Sequence, residues 1–410
     1  MKVVVTGMGC VSGLGASVAS TWDSLVAGKT AIRPIELIAE GQQELKFDGI
    51  AAPVIADALN ILAGHFDEKQ LSADPFANFA AAATLEALQD AGLWGDHTRL
   101  SDAAIVYGNA SGGNAALETG YRRLFYSRLP TVHPMTIPRY MSSAAASHIS
   151  MLFGIRGHCL AISSACASSA HAIGEAMHLI RSGRASIVVT GGSDASLTFG
   201  SLVGWKALQV LAPDMCRPFS NERKGMVIGE GAATLILESE EHAARRGARI
   251  HAEVAGAGST SDARHLTQPD SERAAATITA AHKDAGLDTA TPILFSAHGT
   301  GTRLNDRSEA LALQLAYGPS LQKHLVIATK SAHGHMLGAT GAVEFLIAIL
   351  ALNKNIAPPI LGFLGRDPKC GDLPLALSPT PHACEAAVSA SFAFGGLNAV
   401  LIAKKTDSWH

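Results

Sequence analysis

Cys166 lies in the run Ile-Ser-Ser-Ala-Cys-Ala-Ser-Ser-Ala-His-Ala-Ile-Gly-Glu-Ala over residues 162–176, where an apolar strand-like stretch hands over to a helix. Apolar residues at helical spacing follow (Ala170, Ile173, Met177, Ile180), and the segment stops at Ser182-Gly183. The spacing places Cys166 in or just before the first helical turn. Free N–H groups and the positive dipole end there draw a thiol pKa down from its usual ~8.5 toward neutrality and make a nucleophile. For an isolated cysteine the commoner outcome is an inert side chain buried among small residues. Two histidine motifs downstream tip the balance. The strand-like Ile293 to Ala297 runs directly into His298-Gly299-Thr300-Gly301-Thr302, and the apolar Leu325 to Ala328 precedes Lys330-Ser331-Ala332-His333-Gly334-His335. A cysteine with histidines on separate strand-to-loop junctions is a nucleophile-and-base constellation, adjacent in space rather than in sequence.

Together with Ser391-Phe392-Ala393-Phe394-Gly395-Gly396-Leu397-Asn398, these motifs resemble the β-ketoacyl-acyl-carrier-protein synthases of the type II elongating class, members of the thiolase superfamily. The resemblance runs from Val4 to Ala403, nearly the whole chain. It implies a decarboxylative condensation of a Cys166-bound acyl chain with a malonyl thioester, giving a 3-oxoacyl product and carbon dioxide. In that reading the backbone N–H groups of Cys166 and Phe394 form an oxyanion hole, with Gly395 and Gly396 giving the gate its freedom. His298 and His335 stabilise the enolate. Lys330 supports the histidine pair, and Glu344 is its buried acidic partner; Asn398 closes the gate motif. Thr300 and Thr302 match hydroxyls that hold a phosphopantetheine arm, so the prosthetic group arrives on an acyl-carrier protein and no cofactor resides in the enzyme. The family also implies a dimer, with itself or with a paralogous chain-length-factor-like subunit, through the sheet and helix near Ala185 to Gly192.

The chain departs from the family at several positions. Ala393 and Leu397 replace a glycine and a threonine of the gate motif, and His333 stands where threonine is common. The Gly-His pair and its spacing from Lys330 favour His335 over His333. Ser111 falls where relatives carry a bulky apolar residue that caps the acyl pocket, and Trp205 replaces a smaller aromatic at its entrance. These changes predict a wide or polar tunnel, suited to a polyene, aryl-polyene or type II polyketide pathway. Basic residues for docking an acidic carrier are few; Lys206, Arg122, Arg123 and Arg128 are the candidates. Among other readings, a biosynthetic thiolase would need a second cysteine near Phe394-Gly395-Gly396, and a starter-unit synthase pairs its cysteine with histidine and asparagine. A chain-length-factor-like partner without chemistry would lack Cys166.

The elements that position these residues are those of an α/β protein built twice. An alanine-rich helix over Phe76 to Leu93 precedes the strand Ala103 to Gly108; Arg273 to Leu287 ends in the same Asp-Ala-Gly-Leu and precedes Ile293 to Ala297. The helix after Cys166 has its counterpart in Gly338 to Asn353. Two halves of this kind, 1–248 with the nucleophile and 249–410 with the histidines, predict a thiolase-like duplicated fold: two mixed sheets sandwiching a shared helical layer, α-β-α-β-α.

Composition narrows the rest. With 410 residues, 48% hydrophobic, and a formal net charge of −3, the chain buries a large core and carries no excess of positive charge for nucleic acid. Six scattered cysteines suggest a reducing compartment, hence the cytoplasm, and the chain enters a strand at Val3 with no room for a signal peptide. The apolar run Phe345 to Leu352 is far short of the ~20 residues of a membrane span. Gly7-Met8-Gly9-Cys10-Val11-Ser12 follows a strand, but Ser12 stands where a dinucleotide fingerprint needs glycine. The histidines lack the Cys, Asp or Glu companions of a metal site. Ser193 in Gly-Gly-Ser-Asp-Ala lacks the second glycine of a serine-hydrolase elbow.

Overall fold

The structure is a computed structural model and describes residues 1–39 and 45–406. Ten strands form its main sheet: β1 (Val3–Val11), β2 (Ala104–Gly108), β3 (Cys159–Ile162), β4 (Ile187–Asp194), β5 (Gly231–Ser239), β6 (Ala252–Ser261), β7 (Leu294–Ser296), β8 (Leu325–Ile327), β9 (Ala386–Ala393) and β10 (Leu397–Lys404). Their spatial order is β8-β7-β9-β10-β6-β1-β5-β4-β2-β3. Counted outward from the middle, both halves have one plan, β1-β5-β4-β2-β3 and β6-β10-β9-β7-β8. In each, the inner two pairings are antiparallel and the outer two parallel. The duplication read from the repeated Asp-Ala-Gly-Leu is therefore a duplication of topology. The two sheets expected from sequence are present as two five-stranded leaves, joined where β1 meets β6 over Val4↔Glu253 and Val5↔Ala252.

Five of the helices build the layers that position the site. Helix α1 (Pro75–Asp90) covers β1, β5 and β4, while α3 (Ser271–Asp284) covers β6 and β10 with α4 (Arg303–Tyr317) beside it. Helices α2 (Ser168–Arg181) and α5 (Thr340–Lys354) pack on each other and on strands of both leaves. A helix shared by two sheets has no wet face, and α5 is buried from Thr340 to Leu352. That is why Leu337–Lys354, long and apolar enough by composition to cross a membrane, is the central helix of the core.

Close approach explains the glycines near the N-terminus. Gly7 and Gly9 lie inside β1, against α1; a Cβ on Gly9 would come within 1.9 Å of the Ala83 carbonyl oxygen. The expected dimer contact at Ala185 to Gly192 is corrected by the topology. Strand β4 is buried throughout and hydrogen-bonded on both sides, to β5 and β2. A strand paired on both sides has no free edge to offer a second chain. The edge on this side is β3, where Cys159 and Leu160 are exposed.

Candidate active site

Cys166 occupies a tight turn between β3 and α2. Ala165 is held at φ +51°, a left-handed conformation unusual for a residue with a Cβ. The Ser168 hydroxyl fixes the turn, accepting from the Ser164 N–H at 2.9 Å and donating to the Ala165 carbonyl at 2.6 Å. Helix α2 begins at Ser168, so Cys166 sits just ahead of it and only 7% exposed. The sequence-based expectation of a thiol near neutrality is opposed here by burial. Burial pushes the Cys166 thiol up to about 11, and the Lys330 ammonium and the N–H groups of Phe394 and Cys166 itself offset this only in part. Desolvation disfavours the thiolate and so opposes the dipole of a helix that starts two residues later. Those two N–H groups are the pair that the sequence-based reading assigns to an oxyanion hole.

The histidines come from the strand-to-loop junctions of the second leaf. His335 Nε2 is 3.1 Å from Cys166 Sγ, and its Nδ1 meets the Thr340 hydroxyl at 3.0 Å. The His298 ring stands edge-on to His335 with centroids 5.4 Å apart, and Phe392 packs on its other side. Burial, then the Lys330 charge, holds both imidazoles well below the ordinary histidine value, so both are neutral. His333 is buried too, but Nδ1 and Nε2 are spent on the Gly334 carbonyl at 2.7 Å and the Thr329 hydroxyl at 2.8 Å. The geometry thus selects His335, as the motif spacing suggests.

Lys330 is fully buried. Its Nζ donates to both Glu344 oxygens at 2.8 Å and to the His298 carbonyl, so it holds the histidine backbone and never touches the thiol directly. Burial lifts the Glu344 carboxyl to about 7 against the pull of Lys330. Glu309, which the sequence reading passed over, accepts the His298 N–H at 2.7 Å and the Gly299 N–H at 2.8 Å. Asp306 likewise accepts the Gly301 N–H at 3.1 Å. The signal was available: two acids in the opening turns of the helix that follows His-Gly-Thr-Gly-Thr, placed to receive amides of the loop before it.

A cavity of about 520 Å³ opens in front of the gate, lined by Thr302, Leu304, Leu266, Phe392, Phe394 and Gly396 among others. Thr302 lines it and caps α4, and its hydroxyl bonds that of Thr300 at 2.9 Å. Phe394 stacks on Trp205 with centroids 6.1 Å apart. Gly395 and Gly396 have φ of +83° and +70°, where a side chain would be strained, and a Cβ on Gly396 would strike Asp262. Asn398 Nδ2 donates to Asp262 at 2.7 Å, which ties the base of the gate to β6. Ser111 lines a second cavity of about 440 Å³ with Leu117, Tyr121, Phe125, Tyr126 and Phe199. Arg122 lines this second cavity, and Arg123 belongs to the same helical segment; neither lines the gate cavity, where Lys224 and Arg303 are the cations. Asp194, another residue missed in sequence, accepts the N–H groups of Ala110, Ser111 and Gly338 and so joins the wall behind Ser111 to the segment after His335.

Comparison with known proteins matches this site to a family. The family models for the N-terminal and C-terminal domains of β-ketoacyl synthase match residues 1–243 and 251–364. The chain is 40% identical to nodulation protein E of Rhizobium leguminosarum bv. trifolii over 98% of both chains. It is 34% identical to 3-oxoacyl-[acyl-carrier-protein] synthase 2 of Vibrio cholerae over 98% of this chain and 99% of the other. Among solved structures, the ishigamide ketosynthase/chain length factor superposes with a TM-score of 0.91 at 31% identity, covering 99% of each chain. The buried cysteine, the neutral histidine pair and the lysine behind them therefore sit in a chain that belongs to the β-ketoacyl synthase family of condensing enzymes.

Proposed function

We propose that the chain elongates an acyl group held on Cys166 by two carbons taken from a malonyl-carrier thioester. The observation that carries this reading is His335 Nε2 at 3.1 Å from Cys166 Sγ with the His298 ring edge-on beside it. In the first half-reaction Sγ attacks the thioester of the incoming chain, and the two N–H groups receive the developing oxyanion. In the second, the malonyl group loses carbon dioxide and negative charge gathers on its thioester oxygen. Two neutral imidazoles in a buried site supply Nε2–H donors to that oxygen, where a charged imidazolium would meet the Lys330 field. The enolate carbon then attacks the acyl-Cys166 carbonyl, the C–S bond breaks, and the departing Sγ takes up the one proton that the overall reaction consumes, which restores the thiol.

The arm bearing the substrate enters through the gate cavity, past Thr302 and the Phe394–Trp205 stack; it belongs to the carrier, and the chain needs no resident cofactor. The exposed β3 edge suits pairing with a second copy or a paralogue of the chain length factor kind, since an unpaired edge offers a row of free N–H and C=O groups. The cavity behind Ser111, walled by three aromatic rings of the segment 121–126 and by Phe199, favours a long, rigid or unsaturated chain, as in polyene or polyketide elongation. The test is a competition between saturated and conjugated acyl-carrier primers, read by mass spectrometry of Cys166 after addition of malonyl carrier. Two-carbon extension of the conjugated primer in preference is expected, with the preference reduced in Ser111→Ile. Equal use of saturated primers, unchanged by the substitution, removes the substrate assignment, and absence of any extension removes the condensing one.

A further inference from the structure

The three buried histidines differ in what faces Nδ1. His333 Nδ1 faces the Gly334 carbonyl; a carbonyl only accepts, so His333 is fixed with its proton on Nδ1 and receives the Thr329 hydroxyl at Nε2. His298 Nδ1 has no hydrogen-bond partner among the described residues. An unmet N–H is rarer in buried sites than an unmet acceptor, so the His298 proton lies on Nε2 and this ring is a permanent donor. His335 Nδ1 faces the Thr340 hydroxyl at 3.0 Å, and neither group has another partner among the described residues. A hydroxyl rotates, and it donates or accepts as its neighbour requires.

The two half-reactions ask opposite things of His335. Acyl transfer starts from Cys166, a buried thiol whose sulfur lies 3.1 Å from His335 Nε2. Nε2 must accept the thiol proton while the new S–C bond forms and the carrier C–S bond breaks; the same proton then leaves on the carrier thiol. Nδ1–H must donate to Thr340 in that state. Decarboxylation sends the C–C electron pair into the enolate, whose oxygen needs an Nε2–H donor, and Nδ1 must now accept from the Thr340 O–H. Between them the ring takes one proton at Nε2 and gives one up at Nδ1, through water admitted as one carrier leaves and the next docks, with no net change.

We propose that Thr340 is a positioning residue that lets His335 hold either neutral tautomer, as base toward Cys166 in acyl transfer and as donor toward the enolate in condensation. The proposal rests on the condensing reading above. It is tested by Thr340→Val, which keeps the branched shape, and Thr340→Ser, which keeps the hydroxyl. Single-turnover acylation of Cys166 is followed by mass, and decarboxylation of malonyl carrier is followed in a Cys166→Ala background. In Thr340→Val the acylating tautomer buries an Nδ1–H without an acceptor, so acylation slows by about 10-fold or more while decarboxylation stays within about 3-fold, and Thr340→Ser restores acylation. Nitrogen-15 NMR of the histidine rings reads the tautomer without reference to activity: both forms of His335 in the wild type, Nε2–H alone in Thr340→Val. Equal losses in both half-reactions, no loss in either, or an unchanged tautomer signal overturns the assignment. A wild type inactive in both half-reactions overturns the condensing reading instead, and the NMR comparison still decides the role of Thr340.

Discussion

The two leaves of the sheet place a strand-to-helix turn at corresponding positions, and the two turns have diverged to complementary chemistry. In the first leaf, the turn between β3 and α2 is made of small residues, strained at Ala165, and carries the nucleophile with no charged side chain of its own. In the second leaf, the turn between β8 and α5 carries His335, His333 and Lys330, whose buried ion-pair partner Glu344 lies in the second turn of α5. A duplicated scaffold thus brings a thiol and its proton partner to within 3.1 Å from residues 169 positions apart. The comparison teaches that each leaf supplies what the other cannot bury by itself: sulfur on one side, a neutral donor array on the other.

The sharpest way to separate the two contributions is to delete the first. Cys166→Ala is expected to abolish condensation completely while malonyl-carrier decarboxylation persists, because the donors of the second leaf remain in place. Radiolabelled carbon dioxide release against product formation checks this; condensing activity in the variant would show that the leaves do not divide the chemistry in this way. Deleting from the other side comes next. His298→Ala and His335→Ala are each expected to lower decarboxylation by about 10²–10³-fold, the effect of losing one preorganised oxyanion donor. His333→Ala, whose ring nitrogens serve the Gly334 carbonyl and Thr329, should leave the rate within about 10-fold and act on stability instead, by the ~1–3 kcal/mol of a buried partner left unsatisfied. A dead His333→Ala beside a normal His335→Ala would exchange their roles.

A third test addresses what keeps the second turn in shape. Glu344→Ala leaves the Lys330 ammonium buried with only the His298 carbonyl as acceptor. Breaking a buried ion pair from one side is expected to lower unfolding free energy by about 3–5 kcal/mol, measurable by urea denaturation. Glu344→Gln retains an oxygen toward Nζ and should lose less. Equal stability of all three proteins would mean that the pair is not needed to hold the histidine loop.

Much of this was legible in the sequence, and the parts that were not share a cause. Cys166, His298, His335 and Lys330 stood out because their motifs sit at strand ends, and strand ends can be read from apolar runs bounded by glycine. The order and duplication of elements could be read from the repeated Asp-Ala-Gly-Leu for the same reason. What escaped depended on neighbours in space. Glu309 and Thr340 act through partners on other segments or turns. The central place of β4 is a matter of what pairs with it on both sides, and an apolar run alone does not tell a solvent-facing edge from a middle strand. The joining of the two leaves rests on two residue pairs between β1 and β6, too short a contact to leave a pattern. The thiol is the plainest case: helix position pulls its pKa down and burial by residues from both leaves pushes it up, and only the first of these can be read locally.

That opposition yields the gentlest test, one that sharpens the comparison without removing any residue. If desolvation at the junction of the leaves governs Cys166, the thiol stays protonated across the neutral range and its pKa lies near the value of about 11 to which burial pushes it. The thiolate fraction then grows by about 10-fold for each pH unit, and alkylation by a neutral reagent such as iodoacetamide should rise with that slope from pH 6.5 to 9 and show no plateau. A helix-dipole thiolate would instead level off below pH 8. His335 and His298 stay neutral throughout this range because burial and Lys330 hold them well below it, so neither imidazole adds a step of its own. Cys166 faces Asp194 as well, which adds to the upward push, and Lys330, which opposes it. A plateau near neutrality would mean that the charge behind the histidines and the two N–H donors outweigh the cost of burying sulfur. The first leaf would then deliver a preformed thiolate and would not depend on the second for a base.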